Sequence, residues 1–138
     1  MKILMVNKFL YISGGAESYM FNIVDYLREN GHEVSFFGME DEKNIVSGEY
    51  NVNNTDFKAM SLKKVVNPFK LIYSKEAKVK MEKTIINFKP DIIHLHNYNY
   101  QLTPSIIYAA KKYKIPVIQT IHDPNIVCPY QDRKSTRL

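Results

Sequence analysis

The 138-residue sequence has one cysteine, no tryptophan and no long apolar run. A lone thiol, Cys128, cannot form an internal disulfide, so a disulfide-stabilised secreted fold is excluded and a cytoplasmic location is expected. A transmembrane helix is not expected, because it needs about 20 consecutive apolar residues. The apolar stretch from Ile3 to Val6 is too short for a signal peptide and is predicted to be a buried strand.

Charge is distributed unevenly along the chain. Residues 1–57 contain four basic and nine acidic residues, whereas residues 58–89 contain nine lysines and two glutamates. A lysine-rich segment can form a solvated helix face, or it can contact phosphate head groups or nucleic acid. We favour the solvated face. Peripheral contact of residues 58–89 with the inner face of the cell membrane is the alternative, and no nucleic-acid partner is expected.

Strand and helix patterns alternate along the chain. Near-continuous apolar runs predict strands at residues 2–7, 33–38, 91–96 and 115–121. Apolar positions at helical spacing predict helices at about residues 16–30, at residues 67–88 and after Thr103-Pro104. The alternation predicts an α/β fold with a Rossmann-like, doubly wound parallel sheet.

Turn and capping residues set the expected boundaries. Gly31 is expected to end the first helix in a left-handed cap, Asn67-Pro68 to begin the second and Pro90 to end it. Residues 39–56 are expected to be irregular, with a short strand at residues 57–60. Residues 131–138 continue no element, so we expect a domain at residues 1–130 followed by an unstructured tail, interpreted as a cloning or sequencing scar.

Three motifs are predicted to meet at one edge of this sheet, because ligands bind beyond the carboxyl ends of parallel strands. They are Gly14-Gly15-Ala16-Glu17, His94-Leu95-His96-Asn97 and Thr120-Ile121-His122-Asp123. Gly14 and Gly15 lack Cβ atoms, so a ligand can approach the backbone and the turn can adopt unusual dihedrals. The helix that follows directs unpaired N–H groups to the same place, which suits an anion. A tight turn without a ligand is the alternative.

The histidines allow two interpretations. His94 and His96 share one face of a strand, a spacing that suits metal ligation with His122, Asp123 or Cys128. A histidine held by hydrogen bonds is the commoner case, and we therefore expect no metal and no cofactor. His122 can instead donate to a substrate oxygen while Asp123 orients it or binds hydroxyls, or the pair can simply begin a loop.

The loop after His96 contains two tyrosines, Tyr98 and Tyr100. Either ring can stack on a sugar, although exposed loop tyrosines are common.

Taken in order, these motifs resemble the N-terminal domain of glycosyltransferase family 4. The resemblance covers about residues 1–130. It is carried by the first strand, Gly14-Gly15-Ala16-Glu17, Gly31-His32-Glu33-Val34, the run from Lys89 to Asn97, Gln101-Leu102-Thr103-Pro104-Ser105, Ile115-Pro116-Val117, His122-Asp123 and Cys128-Pro129.

The resemblance implies a retaining glycosyltransferase with a GT-B fold, in which two Rossmann-like domains face a cleft. It implies that this domain binds mainly a glycan or lipid-linked acceptor, and that an absent C-terminal domain holds most of the nucleotide-sugar donor. By position, Gly14 and Gly15 would lie near the donor diphosphate and the acceptor, and His122 near the reacting carbon of the sugar. Glu17, His96, Asn97 and Asp123 would be cleft residues, and no protein nucleophile is assigned.

Two other functions remain open from the sequence. A metal-dependent hydrolase would use His94, His96, His122 and Asp123. A non-catalytic Rossmann-like binding module would need none of them. A receiver-like module is disfavoured, because Asn7-Lys8-Phe9 follows the first strand where a receiver has clustered acids.

Overall fold

The structure is a computed structural model, and it describes residues 1–53, 73–98 and 102–122. Its elements, in chain order, are β1 (Lys2–Val6), α1 (Gly15–Glu29), β2 (Glu33–Phe37), α2 (Lys75–Phe88), β3 (Ile92–Leu95), α3 (Ser105–Lys112) and β4 (Val117–Gln119). The four predicted strands and the helices near them are confirmed. The predicted strand at residues 57–60 and the helix start at Asn67-Pro68 lie outside the described residues.

The four strands form one parallel sheet in the order β2-β1-β3-β4. Val6 pairs with Phe37 on one side and with Leu95 on the other, and Leu95 pairs with Gln119. The carboxyl ends of all four strands therefore lie level along one edge. This arrangement confirms the predicted Rossmann-like parallel sheet.

Each face of the sheet packs against its own helices, because successive strand residues point to opposite sides. Ile3 and Met5 belong to a buried cluster that contains Met20 and Val24 of α1. Leu4 and Val6 belong to a larger cluster with buried residues of α2 and α3. Burial of each large apolar side chain contributes about 1.5–3 kcal/mol, and the two clusters fix the sheet between its helical layers.

The helix ends follow local capping chemistry. Gly31 has a φ of 79°, as predicted for the residue that follows α1. The prediction of one helix through residues 67–88 is wrong at Tyr73 and Ser74, because α2 begins only at Lys75. Ser74 is extended and its side chain accepts a hydrogen bond from the Ala77 N–H, which caps the helix there. At the other end, Lys89 adopts a left-handed conformation before Pro90.

The excursion after β2 is irregular over residues 39–53, as predicted, apart from a bridge between Met39 and Val52. The Lys80 Nζ atom ties it to α2 by donating to the Asn51 carbonyl at 2.7 Å. Within the three described ranges, every helix is too short or too polar to cross a bilayer.

Candidate site at the carboxyl edge of the sheet

The loops after β1, β3 and β4 are joined at the carboxyl edge by backbone hydrogen bonds. The Lys8 N–H donates to the Asn97 carbonyl at 2.6 Å, and the His96 N–H donates to the Val6 carbonyl at 2.8 Å. The Thr120 N–H donates to the Leu95 carbonyl at 2.9 Å. The predicted motifs therefore converge at one edge, except for Asp123 and Cys128, which lie outside the described residues.

The amino end of α1 is open. Gly14 is its N-cap, and the first bond into the helix runs from the Ser18 N–H to the Gly14 carbonyl at 3.2 Å. No described side chain caps the helix, so the N–H groups of Gly15, Ala16 and Glu17 remain for a ligand or solvent. A Cβ atom added to Gly15 would meet no described atom within 4 Å.

The expectation of unusual dihedrals in this turn is wrong. Gly14 has a φ of −171°, an extended value that any residue adopts, and Gly31 is the described glycine with a positive φ. A Cβ atom on Gly14 would meet the Glu17 carboxylate at 3.6 Å, an ordinary contact. The open space above Gly15, and not the backbone conformation, is therefore what this turn offers a ligand.

Asn7, at the end of β1, organises the centre of the edge. Its side chain is fully buried, and its Nδ2 donates to the Glu17 carboxylate at 3.2 Å and to the Phe9 carbonyl at 2.7 Å. Its Oδ1 accepts from the Asn97 N–H at 2.9 Å. Glu17 is itself only 5% exposed, so its carboxylate lies beneath the edge, where it accepts the hydrogen bond from Asn7.

Three histidines form a stack beside this centre. The His94 and His96 ring centroids are 4.3 Å apart, and those of His96 and His122 are 5.1 Å apart with an 18° angle between the planes. The His96 Nδ1 lies 2.8 Å from the His122 Nε2, and the His94 Nε2 lies 2.8 Å from the Thr120 Oγ1. Tyr19, one turn into α1, meets the His122 ring edge-on at 5.4 Å. The stack is thus close to the open end of α1.

Burial lowers the pKa of two of these histidines. It lowers the pKa of His96 to about 3, with smaller contributions from His94 and His122. Burial also lowers the pKa of His94, and the nearby His122 lowers it further by a smaller amount. The His96 Nε2 is buried and has no hydrogen-bond partner among the described residues. His122 is only half-buried and is therefore the histidine that a ligand can reach.

The metal-ligand interpretation of the histidines gains no support from this geometry. Within the described ranges, no group of three or more histidine, cysteine or acidic side chains is arranged to hold a metal ion. The His94 Nε2 is engaged by Thr120, and the His96 Nδ1 and the His122 Nε2 are engaged by each other. One ring nitrogen of each histidine is therefore already used in a hydrogen bond.

Sequence reasoning missed Asn7 and Tyr19, which the structure places at the candidate site. Asn7 could have been noticed as a polar side chain ending a buried apolar strand, and Tyr19 as an aromatic residue in the first turns of the helix after Gly14-Gly15. Tyr98 is half-buried and packs against the core, so part of its ring is used in packing. Tyr100 lies outside the described residues.

A parallel sheet with helices on both faces defines a Rossmann-like domain. Two solved structures share the fold. MurG of Acinetobacter baumannii is 18% identical, with 88% of this chain and 34% of that one covered, at a TM-score of 0.58. UDP-GlcNAc 2-epimerase from Methanocaldococcus jannaschii is 15% identical, with 87% and 31% covered, at a TM-score of 0.57.

The sequence comparisons identify the particular family. The family model for Glycosyltransferase Family 4 matches residues 13–137, and the chain belongs to that family. An uncharacterized 42.6 kDa protein in the cps region of Klebsiella pneumoniae is 30% identical over 94% of this chain. This chain spans 38% of the length of that protein. The resemblance to a GT-B N-terminal domain is therefore confirmed.

Proposed function

We propose that this chain is the acceptor-side domain of a retaining glycosyltransferase, which moves a sugar from a nucleotide-sugar donor to a cell-envelope or polysaccharide acceptor. The observation that carries the proposal is the half-buried His122 beside the open amino end of α1. Tyr19 connects the two, since it lies one turn after Gly15 and contacts the His122 ring. The cps region named for the Klebsiella relative agrees with a polysaccharide acceptor.

The site offers two kinds of help to sugar transfer. Free N–H groups at the start of α1 suit a diphosphate, because the helix dipole and the unpaired donors both favour negative charge. The His122 imidazole can donate to an oxygen of the transferred sugar and so position it or stabilise developing charge. Gly15 leaves room for the ligand to approach the backbone. No residue is assigned as nucleophile.

We further propose that a second, donor-binding domain completes the enzyme. The chain spans 38% of its Klebsiella relative, which leaves room in that protein for another Rossmann-like domain. Transfer needs donor and acceptor held in one geometry, so the 138-residue chain alone is expected to be inactive. Turnover of any sugar nucleotide by the purified chain would contradict this expectation.

His122→Ala in the complete transferase tests the proposed function. Loss of one donor at a charged transition state lowers kcat by on the order of 10²-fold. The melting temperature should fall only moderately, because His122 is half-buried and its removal leaves the buried His96 Nδ1 without its partner, at a cost of about 1–3 kcal/mol. Gly15→Val is the companion variant, since its side chain fills ligand space and should weaken binding as well.

The outcome that opposes the proposal is equally specific. If His122→Ala lowers the melting temperature while the folded fraction transfers sugar at the normal rate, His122 is a structural histidine.

We also propose a cytoplasmic protein that contacts the inner membrane face through residues 58–89. Lys75, Lys83 and Lys89 are exposed in the described part of this segment. Each lysine near an anionic surface contributes about 1 kcal/mol, so weak, salt-sensitive binding to phosphatidylglycerol vesicles is expected. Replacing Lys75 and Lys83 by glutamate should reduce it.

The matched control for vesicle binding makes the same charge change elsewhere. Lys111 and Lys114 are exposed near the end of α3, and replacing both by glutamate should leave binding nearly intact. Equal retention on anionic and phosphatidylcholine vesicles, or none on either, would remove the membrane proposal.

A further inference from the structure

His96 is the most deeply buried residue of the histidine stack, with 1% of its surface exposed. Its backbone N–H is held by the Val6 carbonyl, and its ring lies between those of His94 and His122. The edge of Tyr19 closes another side, with the ring centroids 6.4 Å apart. Its Nδ1 is directed at the His122 Nε2, 2.8 Å away. Because these contacts hold the His96 ring in one orientation, the ring can in turn hold the orientation of His122, its hydrogen-bond partner.

The hydrogen bond between the two imidazoles contains one proton. The surroundings of the His96 ring indicate which of the two nitrogens carries it. Burial keeps His96 neutral, with its pKa lowered to about 3, so the ring carries a proton on one nitrogen only. A proton on Nε2 would be a buried N–H with no acceptor among the described residues. Orphaned buried N–H groups are rarer than acceptors that lack a donor. The proton therefore belongs on Nδ1, where it has a partner.

We infer that His96 is a positioning residue whose Nδ1–H donates to the His122 Nε2, which leaves the His122 Nδ1 to carry a proton and offer it to the ligand. The inference rests on the proposed function, in which His122 contacts the donor sugar. The His122 Nδ1 has no hydrogen bond to another described residue. His122 then donates a hydrogen bond from Nδ1 to a sugar or phosphate oxygen, and its Nε2 is not available to the substrate.

Two variants of His96 separate this role from simple packing. His96→Leu fills much of the same space without any hydrogen-bonding atom. His96→Asn retains an amide N–H close to the position of the imidazole Nδ1–H, so it can still donate to His122. His94→Leu is the matched control, because His94 lies two residues before His96 and is buried too, but bonds to Thr120.

The direct readout is the His122 tautomer in the 15N-labelled 138-residue chain, measured by long-range 1H–15N correlation of the imidazole rings at neutral pH. We expect the Nδ1–H tautomer in the wild type, in His96→Asn and in His94→Leu, and a mixture of tautomers in His96→Leu. An Nε2–H tautomer of His122 in the wild type overturns the inference without any variant. An unchanged Nδ1–H tautomer in folded His96→Leu also overturns it.

Transfer by the complete enzyme separates this inference from the proposed function. His96→Leu should lower kcat by on the order of tenfold, less than the loss of His122 itself, and His96→Asn should restore most of it. If the tautomer shifts but kcat does not, His96 positions His122 while the proposed role of His122 in transfer fails. If His122→Ala abolishes transfer but the His122 tautomer is unchanged in His96→Leu, the inference fails and the proposed function stands.

Discussion

The two edges of the sheet differ in the exposure of their polar side chains. At the amino edge, Lys2 and Glu33 form an ion pair at 3.3 Å with side chains 45% and 60% exposed. The Asp91 carboxylate there accepts from the Lys2 N–H in an exposed position. At the carboxyl edge, Asn7 and His96 are almost fully buried.

The difference shows that the free-energy cost of burying polar groups falls at the carboxyl edge. Burying polar groups is unfavourable unless each finds a partner, whereas exposed polar groups remain hydrated. The carboxyl edge nevertheless buries an asparagine, a glutamate and two histidines, and leaves the His96 Nε2 without a described partner. An edge that served only to end the strands could use exposed polar groups, as the amino edge does.

The largest expected effect is a loss of stability in acid from the carboxyl edge. His96 has an ordinary pKa of 6.5 when unfolded and about 3 when folded. Between these values the unfolded state binds the proton and the native state does not, so the free energy of unfolding falls as pH falls. The slope from one such histidine is at most about 1.4 kcal/mol per pH unit, and solvent screening reduces it.

Urea denaturation at a series of pH values measures this loss. Carboxylates contribute to acid destabilisation in every variant, so the informative quantity is the difference between the wild type and His96→Asn. We expect the wild type to lose more stability than His96→Asn between about pH 6.5 and pH 4. Parallel curves for the two proteins would mean that His96 is not kept neutral by the fold.

The next effect is the loss of the Asn7 side chain. Asn7→Leu removes the donor to Glu17 and the acceptor for the Asn97 N–H, and it leaves both groups buried or half-buried without their partner. An unsatisfied buried group costs about 1–3 kcal/mol, measurable as a shift in the denaturation midpoint.

The matched control for Asn7→Leu is Asp91→Ala at the amino edge. It removes one exposed hydrogen bond, and water replaces the lost acceptor. Its cost should be clearly below that of Asn7→Leu. Equal costs at the two edges would erase the contrast between them.

The smallest effect is expected for the amino-edge ion pair. Glu33→Gln removes the charge that faces Lys2, and exposed pairs of this kind contribute about 0–1 kcal/mol. Salt should reduce even this contribution. A double-mutant cycle with Lys2→Met gives the coupling, and a value well above 1 kcal/mol would show that the amino edge is more tightly constrained than its exposure indicates.

Local patterns predicted most of the fold. The apolar runs of β1 and β3 indicated strands because both faces of the sheet are covered, and the two-residue spacing of His94 and His96 placed their rings side by side. The start of α2 was mispredicted because its cap depends on a distant contact. The Ser74 N–H donates to the Thr103 Oγ1 at 3.1 Å, across 29 residues of sequence.

The site was predictable only in outline. Parallel strands bring their carboxyl ends to one edge, which placed the glycine turn and the histidines together. The bond between His96 and His122 depends on the register of β3 against β4, with Leu95 opposite Gln119, and a sequence pattern does not fix that register. The central position of Asn7 depends likewise on contacts with two separate loops.

Titration of the 15N-labelled chain with inorganic pyrophosphate shows which edge of the sheet binds the anionic part of a donor. We expect saturable shifts of the Gly15, Ala16 and Glu17 amides and of the His122 ring, with the amides of His32 and Glu33 at the amino edge unchanged. Gly15→Val should abolish these shifts in a chain that still folds. Shifts confined to the amino edge or to the lysine-rich segment, with the Gly15 amide unmoved, would contradict the claim that the carboxyl edge is the site of sugar transfer.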